Sequence, residues 1–283
     1  MLKTILIWVL AFIITAATAI YQRMTGPTYP ITGQSKIAQT DLNYKFLRSE
    51  NVGTDLTVKI ESNNSQLSAI TYWKRFKTND EFSAVEMKFA DGIYKAILPS
   101  QPAAGKLEYY IEISDQNETL KLPENKHVVI RYKGEVPTVV LIFHVVAMFG
   151  AMFLSTRTGL EFFRKEPRLN KLTLWTMGFL FVGGLILGPI VQKYAFDAYW
   201  TGWPFGHDLT DNKTAVALIG WIVAFFMYKR SKQPKRWALG AAILLMVVYL
   251  IPHSMLGSEL DYNEMDNQEI NSSEIIEDSV NIE

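Results

Sequence analysis

The side chains best suited to metal or redox chemistry in this sequence are histidines, and no cysteine accompanies them. His144 lies inside an apolar run that begins at Pro137, which at 1.5 Å per helical residue puts it about 10 Å deep. An ionisable group at such a depth is a functional hypothesis in itself. Met148 and Met152 follow at i+4 and i+8 and share its helical face. Imidazole with thioether suits copper or haem iron; the plainer reading is a neutral imidazole bonded to a neighbouring helix, with the methionines as packing. A second group collects His207, Asp208, Asp211 and His253. Together they could ligate a transition metal, with His253 joining His144 as a candidate cofactor ligand. The plainer reading is that Asp208, Thr210 and Asp211 cap the helix that follows, satisfying free N–H groups and opposing its dipole. Trp200, Trp203, Phe205, Asn212 and Lys213 flank these carboxylates as candidate interface residues. The aromatic residues among them form either an interfacial belt or a lid over a site between helices.

These residues need helices to hold them. Five apolar runs approach the roughly 20 residues that a bilayer core requires: Thr4 to Ile20, Pro137 to Ser155, Leu172 to Val191, Leu209 to Lys229 with Lys213 snorkelling to the interface, and Trp237 to Leu256. The loops 156–171 and 229–236 are rich in Lys and Arg, whereas no Lys or Arg follows Arg236. The positive-inside rule makes those two loops cytoplasmic. The stretch 21–136, the aromatic loop 192–208 and the acidic tail then lie outside. Residues 1–23 form an anchor, or alternatively a signal peptide cleaved at Ala17-Thr18-Ala19. Spans four and five are joined by a short loop centred near Lys232, so they pack antiparallel and Asp211 falls level with His253. Gly184 and Gly188 favour close helix packing in the third span, and Pro189 is expected to bend its outer end. The tail 257–283 lacks a sustained apolar face and reads as disordered.

Residues 30–133 read as an all-β domain. Leu56, Val58 and Ile60 alternate with Thr57 and Lys59, and Leu107 to Ser114 alternates again. Ala90-Asp91-Gly92 signals a turn before Ile93 to Leu98. The stretch Asp91-Gly92-Ile93-Tyr94-Lys95-Ala96-Ile97-Leu98-Pro99, followed by Gly105 to Asp115, resembles bacterial fibronectin type III or immunoglobulin-like domains. That resemblance covers about a third of the chain and implies a β-sandwich that binds or spaces other molecules. The whole chain also resembles bacterial multi-pass membrane proteins of unknown function, and this implies no activity. The expected fold is therefore a membrane α-helical bundle, with five spans or four plus a signal peptide, carrying an inserted extracytoplasmic β-sandwich. Its four-helix part occupies 137–256.

No Walker loop, dinucleotide glycine pattern, H-E-x-x-H or haem-attachment motif is present. Formal net charge is zero, which argues against a nucleic-acid partner. The expected function is a non-enzymatic scaffold, assembly or interaction protein of a bacterial cytoplasmic membrane, with the lipid bilayer and other envelope proteins as partners. The alternatives are a redox protein holding haem or a transition metal through outer-half histidines, and a transporter or channel subunit. Activity is expected where sandwich and bundle meet, around Trp200 to Asp211 and His253.

Overall fold

The structure, a computed structural model, describes residues 2–37, 39–252, 257 and 259–268. It forms two compact units: Met1–Tyr29 with Glu135–Ser258, and Pro30–Gly134 with Glu259–Glu283.

The second unit is built from strands β1 (Ile31–Ile37), β2 (Thr40–Phe46), β3 (Ser49–Asn51), β4 (Leu56–Ser62), β5 (Ser68–Arg75), β6 (Ser83–Glu86), β7 (Lys88–Ala90), β8 (Ile93–Leu98), β9 (Lys106–Ser114), β10 (Thr119–Leu122) and β11 (Val128–Lys133). One sheet runs β1-β2-β4-β8-β7; the other runs β3-β11-β9-β5-β6, with β10 on the edge of β9. The predicted alternation sets which face is inward. Leu56, Val58 and Ile60 of β4 and Leu107, Tyr109, Ile111 and Ile113 of β9 are buried in one core that both sheets share. A slip of one residue in either strand would turn this set to solvent, so the pattern fixes register. The expected turn before β8 is present. Asp91 and Gly92 have φ of 52° and 75°, the double left-handed geometry of a tight hairpin. The unit is thus β-sandwich-like.

The tail corrects an expectation. Its described part, residues 259–268, packs on this unit, and residues 262–268 are helical. Tyr262 is buried; its hydroxyl accepts from Lys106 N at 2.9 Å and meets Lys106 O at 3.1 Å. Glu259 pairs with Lys106 at 2.8 Å and Lys77 at 3.1 Å. Arg75 forks to Asp80 on one side and Asp266 on the other. Single anchors of this kind have no periodicity, so composition alone reads them as solvated. Burial pushes the Tyr262 phenol up to about 12. Burial also opposes the Glu259 charge, but hydrogen bonds from Lys106 and Lys77 outweigh it and hold its pKa below the ordinary value. The Arg75 hydrogen bonds hold the Asp80 and Asp266 carboxyls low.

The first unit is helical: α1 (Leu2–Thr25), α2 (Thr138–Gly159) running into a 3-10 turn at Leu160–Phe163, α3 (Leu169–Leu180), a π-helical segment at Phe181–Leu187, α4 (Gly188–Phe196), α5 (Leu209–Arg230) and α6 (Pro234–Leu250). Among the described residues, four helical stretches are long and apolar enough to cross a membrane: Leu2–Thr25, Thr138–Phe163, Leu169–Phe196 and Leu209–Arg230. The expected fifth span is shorter than predicted, since α6 has 17 residues. Ile251 is extended (ψ 117°) because Pro252 follows it, and a residue before proline is driven out of the helical region. Residues 253–256 of that predicted span lie outside the described residues.

Three further expectations change. Helix α2 continues past Ser155, so Arg157 is not in a loop but 2 % exposed, pairing at 2.5 Å with a fully buried Glu161. Lys213 does not snorkel; it is buried, and its Nζ donates to Ile251 O at 2.8 Å. The third span does not simply bend at Pro189. Proline offers no N–H, and the helix loosens into π geometry, with Gly188 N donating to Gly183 O. The expected antiparallel hairpin is present in α5 and α6: Lys213 and Ile251, which touch, are equidistant from Lys232.

Candidate functional site

The loop before α5 brings several predicted residues together. Asp208 caps the helix, accepting from Thr210 N at 2.7 Å, and its other oxygen accepts from the Thr201 hydroxyl at 3.1 Å. Asp211 accepts from the backbone N–H groups of Thr201 (2.7 Å) and Gly202 (3.0 Å). Asn212 accepts from Trp203 N at 2.7 Å. The first turn of α5 therefore holds the aromatic loop from beneath through its backbone. Trp203 and Phe205 are left 76 % and 82 % exposed, while Trp200 donates its indole N–H to Trp203 O. His207 is exposed. Among the described residues no three His, Asp or Glu side chains are grouped so as to hold a metal ion. His253, the other member of that predicted set, lies outside the described residues.

His144 lines a cavity of about 300 Å³ with Gln22, Met148, Lys213, Thr214 and Tyr249. Glycines set this wall. A Cβ at Gly184 would stand 2.5 Å from Thr214 Cγ2, and one at Gly183 would stand 2.9 Å from Met148 Sδ. His144 Nδ1 lies 3.0 Å from Gly183 O. A carbonyl only accepts, so Nδ1 carries the proton and Nε2 is the remaining nitrogen. Most other polar groups here are already committed. Gln22 donates to Tyr249 O, Tyr249 to Met148 O and Thr214 to Thr210 O. Met152, the third member of the predicted His-Met face, is fully buried in the helical core. The arrangement is a small apolar chamber with one imidazole and one amine, able to take a ligand with a single polar end.

Sequence reasoning missed a third constellation, on the outer face of the six-stranded sheet. Tyr72 of β5 lies opposite Tyr110 of β9, with ring centroids 5.1 Å apart and planes nearly parallel. His127 stacks on Tyr110 at 4.8 Å. Phe82 sets its edge against both Tyr110 and His127 at 5.3 Å. Lys121 sits 3.9 Å above the Tyr110 ring, and Lys74 lies 5.3 Å from that of Phe82. Glu108 ties the group from below, 3.4 Å from Lys74 and 3.3 Å from His127. All these side chains are half-buried. Burial, with help from Glu112 and Tyr72, raises the Tyr110 phenol pKa, so the hydroxyl stays neutral and able both to donate and accept. Tyr72 and Tyr110 read as ordinary strand formers, and His127 as a strand start. The only available signal was that their outward positions are aromatic where a solvated face expects polar residues.

No family model matches the chain, and no curated protein matches it. Solved structures do match; one is a crystal structure of a Br derivative of BhCBM56, 9 % identical, with 35 % of this chain and 97 % of that one covered at a TM-score of 0.26. A likeness at that score carries no argument.

Proposed function

We propose that this chain is a non-enzymatic membrane scaffold, assembly or interaction protein. Its helices anchor it in a bacterial cytoplasmic membrane, and its β unit, of fibronectin type III or immunoglobulin type, faces outward and binds an envelope component. The observation that carries this reading is the Tyr72–Tyr110–His127 stack, open on the sheet's outer face with Phe82 and two lysines around it. Flat, rigid aromatics lose little entropy on binding and dominate recognition surfaces. The bundle supports the anchoring half. Phe12, Val139, Phe143, Trp175, Ile219 and Ile243 are each more than half exposed, which suits lipid and not water. The α1 helix runs unbroken through Ala17-Thr18-Ala19, and Gln22 bonds to α6, which supports a retained anchor.

A photo-crosslinking amino acid at Ala84, paired opposite Tyr72, tests the reading. It captures an envelope component in cells, while the same group at Ile97, exposed on the other sheet, does not. Equal capture at both positions, or none at Ala84, contradicts it. A second reading, a haem- or metal-binding redox protein, draws on His144 and Met148 on one cavity wall. An absorption spectrum and elemental analysis of purified protein decide it; a colourless, metal-free preparation that takes up neither haem nor copper ends it.

A further inference from the structure

The corner of the α5–α6 hairpin holds a groove of about 700 Å³, unrelated to the aromatic face. Its floor is apolar, from Val223 and Leu244, and two glycines shape it. Gly220 packs so tightly that a Cβ would stand 2.6 Å from Leu244, whereas a Cβ at Gly240 would meet nothing within 4 Å. The notch at Gly240 is thus unfilled space along the outside of α6. At the groove's mouth stand Ser231, Lys232 and Arg236. The hydroxyl and the two charged groups there can donate, and Gln233 beside them can donate or accept. The Ser231 hydroxyl oxygen already accepts from Gln233 N at 3.0 Å and from Trp237 Nε1 at 3.2 Å, so its proton is left to donate. Lys232 and Arg236 are exposed, and neither forms an ion pair among the described residues. No Asp or Glu occurs between residues 212 and 258.

We infer that this groove binds one anionic phospholipid. The inference rests on the helices spanning a membrane, and is independent of what the β unit binds. An acyl chain lies along the Gly220–Gly240 notch, where it replaces bulk lipid with a fitted wall. The phosphate sits at the mouth, where Ser231, Lys232 and Arg236 supply donors and two positive charges. A zwitterionic lipid brings a cation to a mouth whose charged side chains are Lys232 and Arg236, so selectivity follows from charge. Basic pockets between membrane helices are suited to anionic headgroups for the same reason.

The test uses the purified full chain in detergent, titrated with phosphatidylglycerol or with phosphatidylcholine of the same acyl chains. Native mass spectrometry counts the lipids retained. One phosphatidylglycerol is expected to be held in preference to phosphatidylcholine. Lys232→Glu with Arg236→Glu lowers its retention roughly tenfold or more, given about 1 kcal/mol per basic residue near a headgroup. Gly240→Leu, which fills the notch without touching charge, lowers retention of that lipid with an unchanged melting curve. Lys171→Glu, which reverses one charge on exposed surface elsewhere, leaves it as it was. Equal retention of both lipids, equal loss with Lys171→Glu, or full retention in Gly240→Leu overturns the inference. A chain that stays monodisperse without detergent fails the membrane reading instead, so the two failures are distinct.

Discussion

The two units each contain an arginine held by carboxylates, and the arrangements differ in what they risk. In the helical unit Arg157 and Glu161 are both nearly inaccessible, and Glu161 also accepts from Arg168 N at 2.7 Å. In the β unit Arg75 lies between Asp80 and Asp266 with all three side chains partly exposed. Water can replace any member of the second set but not of the first. The helical unit therefore treats charge as structure, whereas the β unit uses it as a clasp on its own tail. Lys213 extends the first pattern, since a buried ammonium there satisfies the free carbonyl of Ile251 beyond α6.

Breaking one partner should separate the two patterns. Glu161→Ala strands the Arg157 charge and is expected to cost about 3–5 kcal/mol, seen as a large fall in the melting temperature of the detergent-solubilised chain. Replacing both residues with apolar ones, as in Arg157→Met with Glu161→Leu, recovers most of that loss. Lys213→Met comes next. It leaves Ile251 O unpaired and costs about 1–3 kcal/mol in the same melt. Arg75→Ala has the smallest effect on melting, because exposed pairs are screened. Its readout is local: protease cuts the chain after Gly257 faster than in the parent protein.

Acid sharpens the comparison further. Asp80, Asp266 and Glu259 have folded-state pKa values below their ordinary ones. Their contribution is complete above the usual carboxylate value of about 4 and is lost as pH falls through the lowered values. The tail should stay docked down to about pH 4 and become protease-accessible below it. Release at pH 6 would contradict the clasp.

Much of this fold is legible in the sequence because it depends on repetition. Alternation in β4 and β9 names the inward face, Asp91-Gly92 names a hairpin, and the centre at Lys232 gives the α5–α6 register. What is not legible depends on one contact at a time. Arg157 reads as a loop charge because its partner Glu161 lies beyond the apolar run. Tyr262 is one aromatic in an acidic stretch. Pro252 reads as part of a span that its own geometry ends. Of the candidate site residues, Asp208, Asp211 and Asn212 do converge, on the backbone of the aromatic loop. His144 and Lys213 share a cavity that no spacing rule links. The Tyr72–Tyr110–His127 stack draws on residues far apart in the chain, so only pairing of β5 with β9 reveals it.

The most direct test of the binding reading is quantitative. The component captured at Ala84 is titrated against the full chain and against Tyr110→Ser, with Lys59→Ala on the other sheet as control. The account predicts at least about a tenfold loss of affinity for Tyr110→Ser, the scale of a central aromatic anchor, with Lys59→Ala unchanged and both variants folded. Undiminished binding by a folded Tyr110→Ser chain would contradict it.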